Sequence, residues 1–487
     1  MGIAVESVDA YQVLIDRRMV LSFGKTDDEE EDEDGDEAVN KGERLLLAIE
    51  FDIDGASTVG LSMGATGATW FVKGSEVPPE EGDERLIEAV EYACQSAGEV
   101  EADTPFAFWQ ALYDRQREWG EGTIIPPLLW GYGVSLVEQA AIDAYCRRHD
   151  LTFADAVREN QLGLDLTAFH EELADESADE LLPPAPLSSV SVRHTVGQTD
   201  PLTDDDLTPA ERLDDGLPQT LGEYVTEQGI DHLKIKLTAD LDFDIDRLAT
   251  IEDVLHQAGC SDYAFTLDAN EAYGTATEFR RQWEQLREAP ELETFLPNLL
   301  YVEQPLARRD AFSEETAAVF NEWEGTPPVI IDESDDAPDS LRRALECGYA
   351  GTSHKNCKGV FKGIANRCLL AYYSREKDQE YLMSGEDLTT VGPVGLLEDL
   401  AVMGTLGLDH VERNGHHYFR GLSGVPESVQ SSLLDAHGDL YTRHEGGFAS
   451  LDIQDGRIEI GSVVRAPFGR DFDLETAGFD PYPGFDG

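Results

Sequence analysis

A chain of 487 residues with 41% hydrophobic side chains has enough apolar material for two or three domains, one of them large enough to be a full α/β barrel. Its 99 aspartates and glutamates outnumber its 36 lysines and arginines and give a formal net charge of -63, so neither nucleic acid nor a membrane is an expected partner. The regular short apolar runs exclude a disordered polyanion, and the composition points to a folded protein built for a salt-rich, halophilic cytoplasm, where a Debye length of about 3 Å at 1 M salt screens the self-repulsion.

Six cysteines (Cys94, Cys146, Cys260, Cys347, Cys357 and Cys368) form no C-x-x-C pair and no compact disulfide spacing, and read as reduced thiols. Met1 to Glu6 lack a basic leader pattern, and no stretch approaches the roughly 20 apolar residues of a membrane span. A cytoplasmic location is the expectation.

Residues 1–125 mix strand-like runs (Gln12 to Ile15, Leu45 to Phe51, Ser57 to Leu61) with a helical stretch from Arg85 to Ser96, the texture of a small α+β domain. Inside it, the acidic insert 27–37 is expected to be a solvated loop. Residues 126–430 change texture. Leu136 to Arg147 carries apolar residues at helical spacing, and an acidic linker runs from Glu171 to Pro186. Eight candidate strands follow: Val190 to Val196, Leu233 to Leu237, Ala264 to Leu267, Leu300 to Glu303, Val329 to Asp332, Gly351 to Lys355, Tyr381 to Ser384 and Asp409 to Glu412. Amphipathic stretches such as Ile245 to Leu255 and Phe361 to Tyr373 lie between them. This alternation predicts an α/β barrel. An open doubly wound sheet is the alternative, but neither a dinucleotide fingerprint nor a phosphate loop supports it. In the C-terminal segment, 431–487, Asp455-Gly456 between Ala449 to Ile453 and Ile458 to Val464 is a hairpin signal.

Lysine is scarce: there are nine, and five fall in Lys234-Ile235-Lys236 and in Lys355 to Lys362. Residues two apart on a strand face the same side, so Lys234 and Lys236 project together. Adjacent ammonium groups disfavour each other's charge, which suits one of them to act as a base. The next three strands each end in a carboxylate, Asp268, Glu303 and Asp332, at steps of 32, 35 and 29 residues from Lys236. Strand ends of a barrel converge on one face, where three carboxylates would repel unless a cation lay between them. All-oxygen ligands favour a hard ion, with Mg2+ the natural candidate. Lys355, 23 residues after Asp332, falls across the barrel mouth from Lys236, and strand alternation turns His354 away as a packing residue.

The ordered set Lys-Ile-Lys (234 to 236), Asp-Ala-Asn (268 to 270), Glu-Gln-Pro (303 to 305), Asp-Glu-Ser (332 to 334) and Lys355 resembles the enolase superfamily, in its muconate-lactonizing branch. Ala140 to Ala144 also resembles the helix that precedes the barrel in that family. The resemblance implies a modified (β/α)7β TIM barrel with an N-terminal α+β capping domain, on which residues 431–487 pack back. It implies Mg2+ on Asp268, Glu303 and Asp332, and an acid/base pair of Lys236 and Lys355. Lys234 would tune Lys236 and touch the substrate carboxylate, and Asn270 and Glu333 would flank the ligands. The activity implied is that of a lyase or isomerase removing the proton next to a carboxylate through an enediolate, on a small-molecule substrate and in a homo-oligomer. Lys bases working with Mg2+ are a general feature attributed to this superfamily.

The departures concern the substrate. Lys358-Gly359-Val360 stands where this branch commonly has a Gly-Gly pair. Ser384 to Asp387 has no histidine, which argues against the mandelate-racemase branch. Glu412 to Tyr418 is unlike the Asp-rich end of dipeptide epimerases. Glu386, Asp387, Glu412, Asn414 and His416 are the candidate substrate contacts. A barrel that binds a carboxylate without turnover is the competing reading. A metal-dependent hydrolase would be expected to use histidine ligands, and none of the three ligand positions is histidine.

Overall fold

Long alternating apolar runs build an antiparallel meander at the N-terminus: β1 (Ile3–Asp16), β2 (Lys41–Ile53) and β3 (Ala56–Ala65). The computed structural model describes residues 2–19, 41–377 and 379–485, so the acidic insert 27–37 lies outside the described residues. Asp54 and Gly55, both at positive φ, make the tight turn between β2 and β3. Leu45, Leu47, Ile49 and Phe51 of β2 are fully buried. Against this sheet pack α1 (Thr69–Val72), α2 (Gly82–Ala97), α3 (Pro105–Gly120) and α4 (Pro127–His149). Gly60 allows β3 and α4 to touch, because a Cβ there would come within 1.9 Å of the Ala140 carbonyl oxygen.

All eight expected barrel strands are present: β4 (Ser189–Val196), β5 (His232–Lys236), β6 (Ala264–Asp268), β7 (Leu299–Glu303), β8 (Val329–Ile331), β9 (Gly351–His354), β10 (Leu382–Gly385) and β11 (His410–Glu412). Each pairs in parallel with the next, and β11 returns to β4 through His410↔Ser191 and Glu412↔Arg193, closing the cylinder. The connecting helices are α5 (Leu221–Gln228), α6 (Leu241–Gln257), α7 (Ala276–Glu288), α8 (Glu314–Glu322), α9 (Ser340–Glu346), α10 (Val360–Lys377) and α11 (Gly395–Leu406), a (β/α)7β order. Thr220, Asp240, Thr275 and Ser313 start α5 to α8 by accepting a backbone N–H with their side chains.

The C-terminal hairpin closes only at its tip, where Gln454 and Arg457 exchange both backbone hydrogen bonds across the turn. Asp455 and Gly456 make that turn, both at positive φ, but beyond this one pair the flanks find other partners. β13 (Ala449–Leu451) pairs back with β12 (Tyr441–Arg443), while β14 (Arg457–Glu459) adds antiparallel to β4. The reason is an open edge. β4 meets β5 only from Arg193 onward, and β14 satisfies the overhanging Ser189 to Ser191. Gly461–Arg465 is helix rather than strand. The tail then reaches the N-terminal sheet, where β15 (Asp480–Pro481) pairs with β1. On the way, Arg470 and Arg147 both grip the buried carboxylate of Asp143 on α4, each at 2.8 Å. Among the described residues, no helix is long and apolar enough to cross a membrane.

Candidate active site

Strand register lines up the first residues of the site. Lys236 is paired with Asp268 and Asp268 with Glu303, so three neighbours at the C-terminal ends of β5, β6 and β7 face the same way. Lys234, two residues back, shares their side. Its ammonium lies 3.0 Å from Asp268, 2.9 Å from Glu303, 2.7 Å from Glu386 and 3.2 Å from Glu412. Burial would lower its pKa, but those four carboxylates outweigh burial and hold it well above the ordinary lysine value. Lys236 donates to Asp268 and to Asn270 Oδ1, both at 2.6 Å.

Lys355 follows β9 and reaches the same chamber from the other side, 2.6 Å from Asp332 and 3.0 Å from Glu386. Burial disfavours its charge, yet Asp332 and Glu386 raise its pKa well above the ordinary value. Asp332 also accepts from Lys358 at 3.1 Å and from the Ser353 hydroxyl. Burial alone would raise Asp332, but Lys355 and Lys358 hold it below the usual carboxylate range. His354 turns away, as alternation requires. It meets Asn356 at 3.1 Å beneath Gly363 of α10, and burial lowers its pKa to about 3.

Glu386 is more central than a substrate contact alone. Its Oε2 accepts from Lys234 and from Lys355, and its Oε1 from Arg193 at 3.0 Å and Ser384 at 2.6 Å. Burial opposes its charge, but Lys234, Lys355 and Arg193 keep it ionised, well below the usual range. Glu412 accepts from Thr195 at 2.6 Å and from Asn414 at 3.0 Å. Asp387 does not face this group. It accepts the backbone N–H of Thr389 and of Asn414, each at 3.2 Å, and burial raises it to about 7. His416 also lies elsewhere, 3.1 Å from His194 and beside Tyr224 of α5, on the outer face of β4. Its strand has ended and a short helix, Gly415–Tyr418, carries it outward.

The N-terminal region closes the mouth. Trp70 of α1 donates to Glu333 at 3.1 Å, its ring lies 5.0 Å from the Lys355 ammonium, and Arg308 clamps the Trp70 and Phe71 carbonyls at 3.0 Å. Asn270 also donates to Glu333 at 3.1 Å, and burial, with Asp332 next to it, raises Glu333 to about 7. Trp70, Arg193 and Thr195 were not singled out from sequence. An arginine between Val192 and His194 in a candidate barrel strand was the available signal for Arg193.

The donor set suits a hard divalent cation. Glu303, Asp332 and Glu386 each offer an oxygen within 4.8 Å of the others, and all three are buried. Glu303 Oε2 has an ammonium nearby but no aligned hydrogen-bond donor, and burial with Asp268 and Glu386 alongside pushes its pKa well above the ordinary value. The ammonium beside it, Lys234, is shared with Asp268, Glu386 and Glu412. Asp268, the other expected ligand, lies outside this tightest trio and is held by Lys234 and Lys236, with Oδ1 accepting from the Asn270 N–H at 2.9 Å.

No protein-family model matches the chain, and no curated protein is a significant match to it. Solved structures match over nearly its whole length. A mandelate racemase/muconate lactonizing enzyme from Bordetella bronchiseptica is 15% identical with a TM-score of 0.56, covering 97% of this chain and 98% of its own. An enolase from Bradyrhizobium, complexed with magnesium and mandelic acid, is 15% identical at 0.55 over 94% of both chains. A dipeptide epimerase from Enterococcus faecalis, complexed with Mg and L-Leu-L-Tyr, is 16% identical at 0.55 over 96% of this chain and 99% of its own. At such identities the likeness is one of fold: the modified barrel with an N-terminal antiparallel sheet that the motifs implied.

Proposed function

We propose that the chain is a Mg2+-dependent lyase or isomerase of the enolase superfamily that removes the proton next to a substrate carboxylate. The observation that carries this reading is the buried row Lys236, Asp268, Glu303 facing Asp332 and Lys355, with Lys234 between the two sides. Magnesium and small carboxylates in the solved structures of the same fold are consistent with it.

Glu303 and Asp332, flanked by Asp268 and Glu386, would hold the ion. When bound, it supplies positive charge to the substrate carboxylate, where charge accumulates as the proton leaves. Lys234 presents an ammonium to that carboxylate and stays charged. Lys236 and Lys355 approach from opposite sides, one to accept the α-proton and the other to deliver a proton or to support a leaving group. Asn270 and Asp268 orient Lys236, as Asp332 and Trp70 orient Lys355. The Trp70 segment shields the mouth from water, which strengthens each of these interactions.

The test is entry of solvent deuterium at the α-position of a panel of carboxylic acids in high salt. Lys236→Ala should slow exchange about 10³-fold, while calorimetric Mg2+ binding persists. Undiminished exchange in that variant removes Lys236 from the chemistry, and a folded wild type that takes up no Mg2+ removes the mechanism.

A further inference from the structure

Barrel interiors are filled by layers of branched apolar side chains, and Arg193 of β4 breaks that pattern. It is paired with Glu412 on one side and with His232 on the other, so it faces inward with them. That places it one layer beneath Lys234, which is paired with Thr195. Its side chain is fully buried, as is that of Glu386, its ion-pair partner at 3.0 Å.

The guanidinium works as a clamp on one chain segment. Arg193 Nη2 reaches three acceptors in a row at the end of β10: the Ser384 hydroxyl at 2.7 Å, the Gly385 carbonyl at 2.9 Å and Glu386 Oε1 at 3.0 Å. Nη1 lies 2.6 Å from His410 Nδ1. A guanidinium can only donate, so His410 accepts there and is neutral. The Tyr301 ring backs the clamp, 5.9 Å from the guanidinium carbon. Ser384 gives its own proton to Glu386 Oε1 at 2.6 Å and accepts one from Tyr301 at 2.6 Å. Both donors to Oε1 therefore come from the barrel interior. Oε2 is left to the chamber, where Lys234 reaches it at 2.7 Å and Lys355 at 3.0 Å.

An ion pair this deep is a poor way to gain stability, because the water that both groups give up offsets their attraction. Apolar residues of like volume would serve the fold as well. What the pair does achieve is the placement of Glu386. That carboxylate belongs to the tight acidic trio with Glu303 and Asp332, yet β10 is separated from β8 by β9, so it joins them from across the chamber. Carboxylates that ligate metals are held by hydrogen bonds from behind.

We propose that Arg193 is a positioning residue for the metal: it pins Glu386 from beneath, so that this carboxylate completes the ion-binding set with Glu303 and Asp332. The proposal deepens the proposed function and rests on its Mg2+. Arg193 lies a layer below the chamber and acts through Glu386.

The test is calorimetric Mg2+ binding in a double-variant cycle of Arg193→Met and Glu386→Gln. Loss of an outer partner of a metal ligand costs about ten- to a hundredfold in affinity, and Arg193→Met should lose that much. Glu386→Gln should lose at least as much. The double variant should bind like Glu386→Gln alone, within about twofold, because nothing remains for Arg193 to position. Losses that multiply would mean that Arg193 acts on the barrel at large, and would overturn the proposal. So would wild-type affinity in a folded Arg193→Met. If that variant fails to fold with Glu386 stranded, Arg193→Lys takes its place, keeping the charge and losing the fork. It should lose about tenfold, and wild-type affinity there would overturn the proposal equally. A wild type that takes up no Mg2+ removes the proposed function and this proposal together. Mg2+ uptake that is indifferent to Arg193 removes this proposal alone.

Discussion

At the barrel mouth Lys234, Lys236, Lys355, Lys358 and Lys362 are each less than a tenth exposed, and each has a carboxylate within 3.1 Å. Outside, the described lysines are Lys41, Lys73 and Lys377, all exposed, on a surface dominated by aspartate and glutamate. Arginine supplies most of the cations there, in short-range helix pairs such as Arg280–Glu284 and Arg342–Glu346. The two regions obey different rules. Buried ions have lost their water and depend on one another, so removing one strands the rest. Exposed ions keep their water and contribute little individually. Five of the eight described lysines are buried among carboxylates at or beside the barrel mouth, and Lys234, Lys236 and Lys355 are the ones to which the proposed function gives chemistry.

The largest effect should come from breaking the inner network. Lys234→Met removes the one ammonium shared by Asp268, Glu303, Glu386 and Glu412. Loss of a partner from a buried ion group costs about 3–5 kcal/mol. Denaturant titration at fixed high salt should show a loss of that size. A loss below about 1 kcal/mol would mean the chamber behaves like the surface and the contrast fails.

A smaller effect separates burial from pairing. Glu138 of α4 is 1% exposed, accepts the Phe361 N–H at 2.7 Å through Oε1, and has no donor for Oε2. Burial raises its pKa to about 8. A raised carboxyl pKa means the folded protein holds the proton more tightly than the unfolded chain. Its stabilisation is complete below the ordinary glutamate value of about 4.3 and is lost as pH rises through 8. Glu138→Gln keeps the acceptor and cannot ionise. Thermal melts should therefore nearly match the wild type near pH 5 and favour the variant near pH 9, by up to about 4 kcal/mol. An advantage of the same size at both pH values would show that charge is not the cause.

These contrasts also explain what sequence could and could not reveal. The barrel strands were legible because each is a short apolar run set by local periodicity, and Lys234, Lys236 and Lys355 stood out because lysine is otherwise rare. The row Asp268, Glu303, Asp332 was legible from spacing alone. Glu386 came to light only as one of several polar residues after β10, because its weight depends on Arg193, Lys234 and Lys355, contributed by three other strands. His416 was misplaced because strand alternation stops at Glu412, before the short helix that carries it. The tail hairpin was a sound local signal that forms its closing pair, Gln454 with Arg457, beyond which the unpaired end of β4 takes one flank. Trp70 acts across the sheet–barrel interface, which no local pattern reports.

The smallest effect belongs to the surface, and it makes the sharpest test of the comparison. Arg342 and Glu346 lie one turn apart on α9 at 3.3 Å, with side chains 42% and 64% exposed. Asp339 is also within 4.0 Å of Arg342. Such helix pairs are worth about 0.3–0.5 kcal/mol and are screened by salt. At 1 M salt the Debye length of about 3 Å is no longer than the pair itself. Arg342→Ala should therefore cost at most about 0.5 kcal/mol at low ionic strength and nothing measurable at molar salt. A loss comparable to that of Lys234→Met, persisting in molar salt, would mean that the surface ions form a cooperative network of their own. The acidic exterior would then contribute to the fold itself, and the division between inner and outer charge would have to be abandoned.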